Sequence, residues 1–326
     1  DTDRSRGLGD VYKRQTLWIT KLVSIGLKIL GRNATYYPGK LALKLCPDFM
    51  GMLDKPKTII GVTGTNGKTT VSNMINDILI DNGYKIVNNK YGSNIDAGIA
   101  TTLIQGATLL GTTKKDIAVL EIDERSSPKV FPYITPTYLI CTNIFRDSLM
   151  RNAHTEFISE IVSKNVPKDT IMIENADDLI CSGIAPNNKK IFFSIDKLDS
   201  DTKESHNIVR DIITCPKCNA KLEYEYYRYH HIGKAHCPKC DFCTPEADFV
   251  VKNIDIQNKS MKLQTPTGEQ NFNLITDNII NIYNMLAAIT VLEQLGLSEE
   301  QLNISFAKLK IVGTRFSEEI VNGVRI

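Results

Sequence analysis

Gly61-Val-Thr-Gly-Thr-Asn-Gly-Lys-Thr-Thr70 stands between an apolar run at 58–62 and a helically spaced stretch at about 68–81. A glycine-rich turn from strand to helix aims successive backbone N–H groups at an anion, and the helix N-terminus adds partial positive charge. Lys68 is placed to reach β- and γ-phosphates, and the Thr69 hydroxyl to ligate Mg²⁺. The spacing departs from the usual phosphate-loop motif: counting back from Gly67-Lys68 puts Val62, not a glycine, at its first position. Gly64, Thr65, Asn66, Gly67, Lys68, Thr69 and Thr70 are therefore candidates to bind a nucleoside triphosphate.

Outward from this loop, strand-like runs at 58–62, 84–87, 116–122, 137–141, 170–174 and 190–195 alternate with helical spacing at 68–81, 99–110 and 155–163. That alternation predicts an α/β domain whose mostly parallel sheet is covered on both faces. The rhythm breaks at 197–206. Beyond the cysteines, 249–256 and 261–274 read as antiparallel strands turning at Thr265-Pro-Thr-Gly268. Helices follow at 278–295 and 298–308, the second opened by the capping box Ser298-Glu-Glu-Gln301.

Of the 326 residues, 42% are apolar, and 39 basic against 37 acidic residues give a net charge of +2. That excludes a wholly disordered chain and gives no support to a generally basic polyanion binder. Residues 1–15 are polar and without amphipathic pattern; they read as disordered or extraneous to the fold. Residues 17–30, LWITKLVSIGLKIL, are too short to span a bilayer. Lys21, Ser24 and Lys28 form their polar stripe, which predicts a helix packing its broad apolar face on the domain, with an interfacial helix at a membrane surface as the alternative.

Five of the eight cysteines fall within 29 residues. Cys215-Pro-Lys-Cys218 and Cys237-Pro-Lys-Cys240 have the spacing of a zinc ribbon, two knuckles that together offer a closed, structural S₄ site. A rubredoxin-like iron competes for the same ligands. Cys243 creates a second register with Cys240, but Cys237 repeats the Cys-Pro-Lys-Cys motif and is preferred. His230, His231 and His236 read as exposed loop residues. Tyr224-Glu-Tyr-Tyr-Arg-Tyr229 reads as a strand with cross-strand tyrosine contacts rather than a nucleic-acid stacking face, since Glu223 and Glu225 share the run.

The variant Thr63-Gly-Thr-Asn-Gly-Lys-Thr-Thr70 resembles the ATP site of the Mur ligase superfamily, which joins carboxylates to amines through acyl phosphates. Collinear segments strengthen the resemblance. Asp116-Ile-Ala-Val-Leu-Glu121 ends where the family places a Mg²⁺-binding carboxylate. Thr142-Asn-Ile-Phe-Arg-Asp147, Glu174-Asn-Ala-Asp-Asp178 and Asn281-Ile-Tyr-Asn-Met-Leu-Ala-Ala288 are similar to three further family segments. The resemblance implies Lys68, Glu121 and Arg315 as catalytic groups, Thr69 and Glu121 on Mg²⁺, and Asn281 and Asn284 near the adenine. There are departures: Ser148 replaces a metal-binding histidine, Asn278 replaces a glycine, and Gly313-Thr-Arg315 carries an inserted residue.

The inserted ribbon and the lead-in Leu30-Gly-Arg…Tyr37-Pro-Gly-Lys-Leu-Ala-Leu-Lys44 are similar to one subgroup of the superfamily, which amidates the D-glutamate α-carboxylate of lipid II. The domains implied are a helical lead-in at 16–55, the Mur ligase central ATP-binding domain at 56–312 with the ribbon at about 205–248, and the start of a truncated C-terminal ligase domain at 313–326. Residues 1–326 are then expected to bind ATP and zinc without completing amidation alone. No cysteine lies on a Gly-x-Cys-x-Gly elbow, so glutamine hydrolysis must come from another chain. The resemblance implies a GatD-type glutamine amidotransferase as that partner, lipid II as substrate, and a cytoplasmic location at the membrane face where lipid II is made. It implies no nucleic acid and no transmembrane segment. The competing readings are another Mur-type amino-acid ligase, a folylpolyglutamate synthase, or a P-loop ATPase with a nucleic-acid-binding ribbon.

Overall fold

A computed structural model describes residues 2–90, 93–146, 154–205, 211–309, 320–321 and 324–325. Three helices lead in: α1 (Thr2–Ile29), α2 (Tyr37–Leu45) and α3 (Phe49–Met52). The α/β succession follows as β1 (Thr58–Thr63), α4 (Lys68–Asp81), β2 (Ile86–Asn88), α5 (Asp96–Gly106), β3 (Ile117–Glu121), α6 (Ser127–Val130), β4 (Tyr138–Cys141), α7 (Thr155–Asn165), β5 (Ile171–Asn175) and β6 (Lys190–Ile195). The cysteine-bearing excursion contributes β7 (Glu223–Tyr229) and β8 (Ile232–His236). The chain then returns as β9 (Phe249–Asp255), β10 (Ser260–Thr265), β11 (Gly268–Asn273), α8 (Ile279–Gln294) and α9 (Glu299–Lys308), with a short pair β12 (Ile320–Val321) and β13 (Val324–Arg325).

Nine strands form one sheet in the order β11-β10-β9-β6-β5-β4-β1-β3-β2. Every pairing from β2 to β9 is parallel, and β10 and β11 close the edge antiparallel. The excursion from β6 to β9 leaves and re-enters the sheet between two adjacent parallel strands. Strand alternation builds two cores, because successive side chains point to opposite faces. Ile60, Val62, Val119, Ile140 and Ile173 join α4, α8 and α9 on one face. Ile59, Ala118, Leu120, Leu139 and Met172 join Leu17, Ala42 and α5 on the other.

Helix α5 is shifted from its expected position, ending at Gly106 rather than 110, because Thr108 and Gly111 form a turn instead. Helical backbone begins at Thr2, so α1 runs through the stretch that the sequence reading left without an element. The larger correction concerns the orientation of α1. Its polar stripe is divided: Ser24 is buried beside Thr20, Lys21 Nζ donates to the carbonyls of Ile104 and Ala107, each at 2.7 Å, and only Lys28 is exposed. Two backbone acceptors at the end of α5 and its following loop recruit the lysine, and Leu17 packs inward while Trp18, Leu22, Ile25 and Ile29 turn outward.

The ribbon hairpin is fastened to the domain by charge. Arg228 of β7 donates to Asp177 at 3.2 Å and to Asp201 at 2.8 Å, and it also bonds the hydroxyl of Tyr283 on α8. His231, expected to be exposed, is buried: its Nε2 lies 3.0 Å from Asp178 and its Nδ1 3.4 Å from Asp211. Asp178, just beyond β5, and Asp211, in the excursion, override the local polarity of the His230-His231 turn, while His230 and His236 stay at the surface. Tyr224 stacks on Tyr227 at 3.9 Å, and Tyr226 is buried.

Burial opposes the charged His231 ring, but the Asp178 and Asp211 carboxylates outweigh it and raise its pKa to about 9. A raised histidine pKa makes its stabilisation full below about pH 6.5 and lost as pH rises through about 9. Glu174, pushed up by burial to about 8 despite Lys190, changes stability in the same direction. Urea midpoints are expected to fall between pH 6.5 and 9, with His231 carrying roughly 3 kcal/mol of that loss. His231→Gln should flatten this slope; an unchanged slope would show that the ion pairs contribute nothing there. Arg228→Met removes the counter-charge of two buried carboxylates, Asp177 and Asp201, and is expected to cost about 3–5 kcal/mol in the same measurement.

Candidate active site

The parallel topology brings the loop after β1, the end of β3 and the end of β4 to one edge of the sheet, where ligands of open α/β sheets bind. Residues 64–67 turn from β1 into α4, with Gly67 as the N-cap at φ +86°. Two close approaches leave room only for glycine. A Cβ at Gly64 (φ +122°) would lie 2.3 Å from Thr142 Oγ1, and one at Gly67 2.2 Å from Asn284 Oδ1.

The loop is held from behind by β4. Thr65 N donates to the Asn143 carbonyl at 2.8 Å, and Asn66 N donates to Asn143 Oδ1 at 2.9 Å. The Asn66 carbonyl accepts from Thr142 Oγ1 at 2.6 Å and from Asn143 Nδ2 at 3.0 Å. Phe145 N donates to Thr65 Oγ1 at 2.9 Å. The Thr142-Asn-Ile-Phe segment thus shapes the loop from behind. Asp147 and Ser148, like Arg315, lie outside the described residues.

Thr69 and Glu121 meet as the sequence reading requires, with Thr69 Oγ1 donating to Glu121 Oε2 at 2.9 Å. Asn94 Nδ2 donates to Glu121 Oε1 at 3.1 Å. Asn89 pairs with the Glu121 backbone twice, as donor and as acceptor, each at 2.8 Å. A hydroxyl and a positioned carboxylate are the hard oxygen donors that Mg²⁺ prefers. Lys68 Nζ donates to the Gly64 carbonyl and to Glu124 Oε1, the latter at 3.0 Å. Glu124 is buried and also accepts from Gly64 N at 2.8 Å.

Glu124 is the functional residue that sequence reasoning missed. It stands three residues beyond the strand end, in a 3₁₀ turn at Glu124–Ser126, where only the fold aims it back at the loop. Thr70 is half-buried on the first turn of α4. Asn281 and Asn284 lie one turn apart on α8, with Asn284 Nδ2 donating to Asn281 Oδ1 at 3.1 Å. Asn284 bears on the loop itself at Gly67.

The second centre is the ribbon. The Sγ atoms of Cys215, Cys218, Cys237 and Cys240 all lie within 4.8 Å of one another. The Cys215–Cys240 and Cys218–Cys237 separations are 3.5 and 3.4 Å, near the edge of about 3.8 Å expected for a tetrahedron with zinc–sulfur bonds of about 2.3 Å. Each knuckle sends one N–H to sulfur, Lys217 N to Cys215 and Lys239 N to Cys237, both at 3.4 Å. The four thiols could hold a metal ion. Cys243 is exposed and outside the set.

Residues 62–215 of this chain match the Mur ligase middle domain, and the chain has the Mur ligase fold. It is similar to the MurT subunit of glutamine-hydrolysing lipid II isoglutaminyl synthase. Identity is 31% to that subunit from Staphylococcus aureus and 32% to that from Streptococcus pneumoniae, over 88% of this chain in each case. The chain spans 64% and 63% of the length of those two relatives. Among solved structures it is similar to a pseudomurein peptide ligase type C from Methanothermus fervidus, with a TM-score of 0.64 and 26% identity over 83% of this chain and 53% of that one. MurF ligase from Thermotoga maritima shares the fold, with a TM-score of 0.55 and 18% identity over 88% of this chain and 56% of that one.

Gly67→Ala imposes a positive φ on alanine and drives its Cβ into Asn284. ATP affinity, measured by titration calorimetry, is expected to fall at least about tenfold, and stability to fall by about 1–3 kcal/mol. Wild-type affinity in this variant would remove α8 from the site.

Proposed function

We propose that this chain is the ligase subunit of an enzyme that amidates the α-carboxylate of D-glutamate in the lipid II stem peptide. The supporting observation is the convergence of Lys68, Thr69, Glu121 and Glu124 on one phosphate loop, in a chain similar along 88% of its length to MurT subunits. A carboxylate oxygen attacks the γ-phosphorus of ATP, the bond to the β–γ bridging oxygen breaks, and ADP leaves. Ammonia then attacks the acyl carbon of the resulting acyl phosphate. Inorganic phosphate departs, a proton is lost to solvent, and the carboxamide remains.

Lys68 compensates charge on the transferring phosphoryl group, and backbone N–H groups at the start of α4 bind the flanking oxygens. Glu124 holds the lysine ammonium and Gly64 N in the loop, which fixes the reach of Lys68. Thr69 and Glu121 would hold Mg²⁺, which when bound neutralises charge between the β- and γ-phosphates. The ribbon thiols would hold zinc as a structural ion, with no open position for chemistry.

Ammonia from a partner glutaminase of the GatD type fits the cysteine inventory. Cys141 and Cys181 are fully buried, and burial pushes the Cys181 thiol well above its ordinary pKa. A buried thiol of that kind is a poor glutaminase nucleophile.

The test is an assay with a GatD-type glutaminase, lipid II, glutamine, ATP and Mg²⁺, followed by mass spectrometry of the stem peptide. Carboxamide should appear with matching ADP, and Lys68→Ala should lower the rate at least about a hundredfold. Incorporation of an amino acid in place of ammonia would overturn this reading. Metal analysis of the purified chain should find one equivalent of zinc, lost in a Cys218→Ser/Cys237→Ser variant. Iron in its place would correct the metal assignment.

A further inference from the structure

Helix α1 buries Leu17 in the core and presents a second apolar arc to solvent. Thr16, Thr20 and Ser24 are buried against the domain, and Lys21 is spent on two carbonyls of α5 and its following loop. The outward side carries Trp18, Leu22, Ile25 and Ile29, which are 47%, 68%, 55% and 80% exposed. Their spacing of four, three and four places them within an arc of about 60° on a helix of about 100° per residue. Leu109 and Leu110 are exposed beside them, with Trp18 Nε1 donating to the Leu109 carbonyl at 2.8 Å. Single exposed apolar residues need no explanation, whereas an aligned set marks an interaction surface.

Charge selects the occupant. Residues 16–47 contain Lys21, Lys28, Arg32, Lys40 and Lys44 and no acidic residue, although the whole chain is nearly balanced. Lys28 and Arg32 are exposed at the C-terminal end of the apolar arc. Two copies of this face would oppose like charges, while an anionic lipid surface would complement them. No helix among the described residues is long and apolar enough to cross a membrane. An amphipathic helix with tryptophan and leucine on one side and lysine or arginine at its border lies in the interface plane instead. Leu109 precedes β3, at the opposite end of the parallel sheet from the loop that follows β1. Docking there leaves the phosphate loop free.

We propose that the outer face of α1, with Leu109 and Leu110, docks on an anionic lipid bilayer. Trp18, Leu22, Ile25 and Ile29 enter the headgroup boundary, and Lys28 and Arg32 meet the lipid phosphates. This goes beyond the ligase reading and does not depend on which amide the enzyme makes.

Trp18 is the chain's one tryptophan, so its fluorescence reports on this face alone. Vesicles of phosphatidylcholine with phosphatidylglycerol are titrated into the purified chain, without lipid II or a partner. The expected result is a blue shift, protection from acrylamide and co-sedimentation, all weakened by salt. Vesicles of phosphatidylcholine alone should bind at least about tenfold more weakly. Leu22→Glu/Ile25→Glu should lower partition at least about tenfold while ATP affinity and thermal unfolding stay as in the wild type, and Leu22→Ser/Ile25→Ser should weaken it less. Absence of a shift with the anionic vesicles, equal binding to neutral ones, or light scattering showing a dimer that Leu22→Glu/Ile25→Glu dissociates would each overturn the proposal. Failure here leaves the ligase reading standing, because no substrate is present.

Discussion

The phosphate loop is wedged between β4 and α8, and the rest of the site depends on that wedge. Thr142 and Asn143 bond the backbone of Thr65 and Asn66, while Asn284 occupies the space a side chain at Gly67 would need. A loop gripped on both sides is preorganised: the N–H groups of Gly64, Thr65 and Asn66 are bonded to Glu124 and Asn143, which fixes the loop so that phosphate binding does not have to order it. The parallel sheet makes the grip possible by delivering β1, β3 and β4 to one edge with their loops adjacent.

The ribbon is joined to that arrangement. Arg228 reaches Tyr283, which lies between Asn281 and Asn284 on α8, and His231 packs on Phe145 with ring centroids 4.9 Å apart. Phe145 bonds Thr65 in turn. The metal-ligand end of the excursion packs on Leu179, while the hairpin end is set into the domain through a buried arginine and a buried histidine. Their carboxylate partners come from the Asp177-Asp178 strand end, so a segment that looks like a family signature also serves as an anchor. Buried charges of this kind specify how two pieces fit even where their net stabilisation is small.

Much of the fold was legible because its signals are local. The strand–loop–helix around Lys68 and the Cys-Pro-Lys-Cys pairs need only neighbouring residues to be recognised, and both stand where the spacing placed them. Thr69 and Glu121 also lie within hydrogen-bond distance, since the loop after β1 and the end of β3 share an edge of the parallel sheet. Glu124 was not legible: a carboxylate in a turn has no periodicity to mark it. His231 was misjudged for the same reason, because its burial is imposed by Asp178 and Asp211, which are remote in sequence.

Helix α1 shows the division most plainly. Sequence alone determined that it is helical and amphipathic, because side-chain spacing sets which residues share a face. Which face turns inward was decided by the tertiary structure. The unpaired carbonyls at the end of α5 accept the Lys21 ammonium, and that bond directs the lysine side toward the domain. Hydrophobic patterning records the partition of a helix surface, but the partners on each side are set by chain segments far away, and only packing brings them together.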